Sequence, residues 1–150
     1  MTKLTARCLC GDVTWQADGP VSWACHCHCE SCRRATAAPM TTFIGVRLSD
    51  FQWTGAPPGT YTSSPGVTRS FCGTCGTPMA FQASRFEGEI HAYAATLDDP
   101  GRIAPEFHVH YDEKLPWLHL SDALPRYTAN KTAAGNTATD NTTVSKTEDQ

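Results

Sequence analysis

Apolar and polar residues alternate in short runs along this chain. Val13 and Trp15 stand between Asp12, Thr14 and Gln16; further on, Phe107, Val109 and Tyr111 are separated by His108 and His110. A period of two is the repeat of a half-buried β-strand. Runs of similar length, rich in β-branched and aromatic residues and bounded by Gly and Pro, cover residues 12–16, 41–46, 51–54, 67–71, 79–82, 90–94 and 107–111. They predict a mainly β domain. One helical turn is expected over residues 29–38, where Ala and Arg suit a helix and Pro39 ends it. Trp15, Trp23, Trp53, Trp117, Phe43, Phe71 and Phe81 are assigned to the core or to sheet edges, with Trp23 also a candidate ligand wall.

The pattern stops near residue 128. From there to residue 150 the chain is mostly Thr, Asn, Ala, Asp and Lys, which bury too little apolar surface to offset their ordering entropy. The expected organisation is one domain over residues 1–127 and a disordered polar tail over 128–150. With 150 residues there is room for one modest core and not for two ordinary domains. A net charge of −3 provides no general attraction to nucleic acid or anionic membranes. No run reaches the roughly 18 to 20 apolar residues of a membrane span, and residues 1–11 lack the apolar centre of a signal peptide. A cytoplasmic location is expected, where eight cysteines point to metal binding or redox chemistry rather than disulfides.

Those cysteines form two sets. Cys72-Gly73-Thr74-Cys75-Gly76 is a turn that lets two sulfurs face one ion, with Gly76 free to take a positive φ on leaving. Cys8-Leu9-Cys10-Gly11 repeats the pair with its trailing glycine. Four thiolates fill the shell of zinc, so Cys8, Cys10, Cys72 and Cys75 are expected to hold a structural zinc. A redox pair at Cys72 and Cys75 would need a strand-to-helix context, which Thr77 and Pro78 oppose.

The second set is Cys25-His26-Cys27-His28-Cys29-Glu30-Ser31-Cys32-Arg33-Arg34. Extended residues four apart lie roughly 13 Å from each other, so the chain must turn within this run for one ion to be bound. Cys27 and Cys29 at a strand end, with Cys32 returning, would form a three-sulfur tripod with an open fourth position. Such a site accepts another sulfur or a small oxygen ligand, with Arg33 and Arg34 compensating its charge or gripping a carboxylate. Closure by Cys25 or a histidine would make it a second inert zinc, and spacing alone does not choose between the two. His28 is the candidate proton donor; His108 and His110 are expected to make ordinary hydrogen bonds.

The three cysteine motifs, in this order and at these separations, resemble those of the glutathione-dependent formaldehyde-activating enzyme family, which also contains centromere protein V. Pro105-Glu106-Phe107-His108, Leu115-Pro116-Trp117-Leu118 and Asp122-Ala123-Leu124-Pro125 resemble the family's terminal segments. The resemblance implies small antiparallel sheets around a structural zinc, the Mss4-like or β-tent architecture. It implies two zinc ions, with Cys8, Cys10, Cys72 and Cys75 as structural ligands and Cys27, Cys29 and Cys32 as catalytic ones, Cys25 lying outside the pattern. It also implies carbon-sulfur lyase activity of the S-hydroxymethylglutathione synthase type, on a thiol such as glutathione and formaldehyde or another small electrophile. A non-catalytic thiol-binding or sensor protein is the rival reading; a scaffold like centromere protein V is opposed by the acidic balance. The chain departs from the family at Ala37 and Ala123, where glycine is usual.

Overall fold

A computed structural model describes residues 3–130. Ten strands and one α-helix follow one another: β1 Lys3–Arg7, β2 Thr14–Asp18, β3 Trp23–Cys27, α1 Glu30–Thr36, β4 Thr41–Arg47, β5 Phe51–Trp53, β6 Gly59–Ser64, β7 Val67–Phe71, β8 Pro78–Ala83, β9 Glu89–Tyr93 and β10 Phe107–Val109. They form a three-stranded sheet, β1-β2-β5, and a seven-stranded one, β10-β3-β4-β9-β8-β7-β6. Every pairing is antiparallel except β10 on β3. The mainly β expectation holds.

The core lies between the two sheets. Leu4, Ala6, Trp15 and Ala17 of the small sheet pack with Ile44, Val46, Met79, Ile90 and Ala92 of the large one. The other face of the large sheet is also covered, by a second cluster that includes Cys25, Cys27, Phe43, Phe81, Tyr93 and Phe107. Covering on both faces explains why β3, expected only as a strand end at the cysteines, has no period-two pattern: Ala24 and Cys25 are both buried, so alternation is lost. The edge strand β6 was missed for the opposite reason, since it is exposed along nearly its whole length. β1 offers only Leu4 and Ala6 as apolar signals.

The helix is shorter than expected and is bounded by its own chemistry. Cys29 is the N-cap, its sulfur accepting a hydrogen bond from the Cys32 amide at 3.3 Å. Ala37 is the C-cap in left-handed backbone, φ 52° and ψ 33°, the conformation that a glycine takes without penalty. Ala123 is not among the positive-φ residues, so nothing in its backbone calls for glycine. Trp117 corrects the core assignment: it is 64% exposed, in a proline-bounded loop after β10. Thr128 to Asn130 continue beyond the expected domain end, with Ala129 O accepting from the His110 amide and Asn130 Oδ1 facing His110 Nε2 at 3.1 Å. The remainder of the expected tail lies outside the described residues.

Candidate metal centres and cavity

The turn between β1 and β2 carries Cys8 and Cys10, and the turn between β7 and β8 carries Cys72 and Cys75. The four ligand atoms lie within 4.8 Å of one another, with Cys8 Sγ to Cys10 Sγ at 3.5 Å and Cys10 Sγ to Cys72 Sγ at 3.7 Å. Sulfurs around tetrahedral zinc are separated by roughly 3.8 Å, so this donor set fits the ion. Amides of Val13 and Cys75 donate to the sulfurs of Cys8 and Cys72. Gly11 and Gly76 leave the two turns at φ 86° and 79°. A metal here would tie the small sheet to the large one.

The second group forms where β3 runs into α1. Cys27 ends the strand, Cys29 caps the helix and Cys32 lies in its first turn; their sulfurs are again within 4.8 Å of one another. Cys25 shares their cavity but is not part of the group. Burial, with the charge on Cys32 adding to it, pushes the Cys25 thiol up to about 12, so it stays neutral. Hydrogen bonds from Cys27 and Cys29, together with the nearby Arg69 guanidinium, hold the Cys32 thiol far below its ordinary value.

Arg69 was not found from the sequence. It comes from β7, is 5% exposed, and stacks on Phe81 with its guanidinium 5.0 Å from the ring centre. It donates to Ser63 Oγ, Tyr93 Oη and Cys32 Sγ, at 3.2, 3.1 and 3.9 Å. Among the described residues no carboxylate pairs with it within ion-pair distance. The only sequence signal is one arginine in a β-branched run shortly before Cys72; it becomes informative once the fold brings Cys32 of α1 within 3.9 Å of it.

The structure does not bring His28 or Arg33 to the cavity. His28 is fully buried and borders no part of it. Its Nε2 meets His108 Nδ1 at 2.8 Å, and His108 Nε2 meets both carboxylate oxygens of Asp122 at 3.1 Å. With the His108 Nε2 proton donated to Asp122, His28 must donate from Nε2, which leaves its buried Nδ1 without a partner. Burial, then the neighbouring His108, pushes His28 down to about 4, so the ring is neutral. Arg33 turns back to donate to the His28 carbonyl at 3.4 Å. Arg34 does border the cavity, paired with Glu30 at 2.8 Å, and so does His110, which meets Glu113 at 3.1 Å.

The cavity is an open trough of about 1060 Å³ along the covered face of the large sheet, with all three cysteines in its wall. A model of the glutathione-dependent formaldehyde-activating enzyme family matches residues 3–113. The chain belongs to this family. The matched span holds both cysteine groups, Arg69 and β1 to β10. A crystal structure of a Rhodobacter sphaeroides protein is similar at 24% identity and a TM-score of 0.54, covering 63% of this chain and 87% of that one, which supports the fold. No curated protein matches the chain. Family membership links the chain to glutathione-dependent formaldehyde chemistry, and two cysteine clusters able to hold metal accord with it. No helix among the described residues is long and apolar enough to cross a membrane.

Proposed function

We propose that this protein is a zinc-dependent carbon-sulfur lyase, which joins a thiol such as glutathione to formaldehyde or another small electrophile and catalyses the reverse. One zinc would be structural, held by Cys8, Cys10, Cys72 and Cys75; the other would be catalytic, held by Cys27, Cys29 and Cys32. The observation that carries the reading is Arg69, a buried cation whose partners are a cysteine sulfur and two hydroxyls. A buried charge without an opposite charge is strongly disfavoured. Three thiolates around a divalent ion total −1, which balances the charge of Arg69 with the Cys32 sulfur as the point of contact.

Cys27, Cys29 and Cys32 would hold the zinc, which would supply the Lewis acidity to keep an incoming thiol ionised at neutral pH. The chain does the rest. Cys27, Cys29 and Cys32 border the trough, so a thiol entering along it meets them directly. The sulfur lone pair forms a bond to the aldehyde carbon as the carbonyl π pair moves to oxygen, and the thiol's own proton, carried through water in the open trough, ends on that oxygen. No net acid or base is consumed. Arg69 has five N–H donors and uses three, so two remain to orient the developing alkoxide. His28 is a positioning residue here: its amide donates to Val109 O and its carbonyl accepts from Arg33, which together hold the Cys27–Cys29 turn.

The test is S-hydroxymethylglutathione formation from glutathione and formaldehyde, with and without chelator, in the parent and in Cys29→Ser. Zinc-dependent turnover that falls by roughly 100-fold or more in the variant is expected. Tight thiol binding without turnover of any aldehyde would replace the lyase with a thiol sensor.

A further inference from the structure

The trough continues well past the cysteine group. Cys27 pairs with Thr41 and Trp23 with Gly45, so the far end lies four residues along β3 and β4, roughly 13 Å away. Aromatic rings gather there around His91 of β9. Trp23 meets the imidazole edge-on at 4.5 Å between ring centres, Phe86 lies at 4.8 Å, Phe81 at 5.5 Å and Phe43 at 6.5 Å. All five line the trough. Gly45 makes the arrangement possible, because a Cβ on it would stand 2.3 Å from the Trp23 indole. The indole therefore lies flat on the strand as an end wall. At the rim, Arg85 lies over Phe86 at 4.8 Å, and Glu89 meets His91 Nε2 at 3.2 Å. One charge of each sign gives the rim no net pull on an ion, and Arg69, 5.0 Å over Phe81, is directed at the Cys32 sulfur.

Formaldehyde adds a single carbon to a thiol, so whatever fills such an end must be carried by the thiol or by a larger electrophile, and apolar rings favour an apolar group there. A trough of this size is at the upper limit of sites for drug-sized ligands, roughly 300 to 1,000 Å³. We propose that the box of Trp23, Phe43, Phe81 and Phe86 around His91 is a second subsite, which takes an uncharged aromatic arm of the thiol or thiol adduct whose sulfur sits at Cys27, Cys29 and Cys32. The inference rests on the thiol reading above and adds the substrate class: arylalkyl thiols, or adducts of arylalkyl aldehydes, in preference to formaldehyde adducts alone. Aromatic rings favour an aromatic guest through edge-to-face contact as well as burial.

The test uses the cobalt-substituted protein, in which a thiol joining the cysteine group changes the sulfur-to-cobalt charge-transfer band. Dissociation constants are measured for ethanethiol and 4-phenylbutane-1-thiol. The aryl thiol is expected to bind at least roughly 30-fold tighter. Phe86→Ala and Gly45→Val, one opening the box and the other displacing the indole into it, should each reduce that ratio to about threefold while ethanethiol is unchanged. Equal binding of the two thiols by the parent, or a ratio that neither variant alters, overturns the subsite. If neither thiol changes the band, the thiol reading is what fails. The box is then judged on 4-phenylbutan-1-ol, followed by tryptophan fluorescence in the zinc-loaded protein. Saturable binding that Phe86→Ala removes upholds the subsite, and no binding overturns it.

Discussion

Replacing Arg69 with methionine removes a buried charge while keeping much of the side chain's volume against Phe81. The guanidinium lies 3.9 Å from the Cys32 sulfur, and a bound zinc would sit about 2.3 Å beyond that sulfur. With an effective dielectric constant of about 20, the attraction between Arg69 and a centre of charge −1 is about 3 to 4 kcal/mol over that range of distance. Loss of it should weaken zinc binding at Cys27, Cys29 and Cys32 by roughly two to three orders of magnitude. The first cysteine group lies elsewhere in the fold, so its affinity should be unaffected. Global stability should change little, because methionine avoids the desolvation that burying a guanidinium demands. Competition with a chromophoric chelator resolves the two centres as tight and weakened phases, and Arg69→Lys should recover most of the loss. If the second centre of Arg69→Met binds zinc within threefold of the parent, or if both centres weaken alike, the charge argument is wrong.

Three further outcomes are expected. Cys72→Ser should lose the structural ion and lower the melting temperature by roughly 10 °C or more, whereas Cys27→Ser should retain one zinc per chain and melt within a few degrees of the parent; metal analysis beside calorimetry decides, and the opposite pattern would reverse the two assignments. Ala37→Gly should stabilise the protein by about 1 kcal/mol, a rise of a few degrees in melting temperature, because it relieves left-handed backbone at a non-glycine C-cap; an unchanged or lower melting point would show that the turn is not strained. Asp122→Asn leaves His108 with a neutral acceptor and should cost about 1 to 2 kcal/mol in urea denaturation without altering zinc affinity at either centre. A fall in affinity at the second centre would mean that this buried chain tunes the cysteines.

Family, mainly β class and both cysteine groups were legible in the sequence, and for a local reason. Gaps of one and two residues, with trailing glycines, at Cys8 to Gly11 and Cys72 to Gly76 prescribe the turns that aim sulfurs at one point, whatever surrounds them. Period-two alternation likewise reports any strand with one wet face, which is why the segments around Trp15 and Val67 could be placed. β3 is legible only at its cysteine end because burial on both faces erases the alternation, and β6 is not legible because an exposed edge strand carries no apolar signal. Trp117 was misplaced because composition registers a large apolar side chain and not the loop that leaves it in solvent. What the tertiary structure alone decided is which polar groups share a space. His28 lies between two cysteines in sequence, yet strand geometry turns it to the opposite face, where it meets His108. Arg69 is 37 residues from Cys32 and within hydrogen-bonding reach of it. Cys25 is two residues from Cys27 and outside its group. Ligand spacing is a property of a few adjacent dihedral angles; the charge facing a site, and the cavity leading to it, are set by pairing across seven strands.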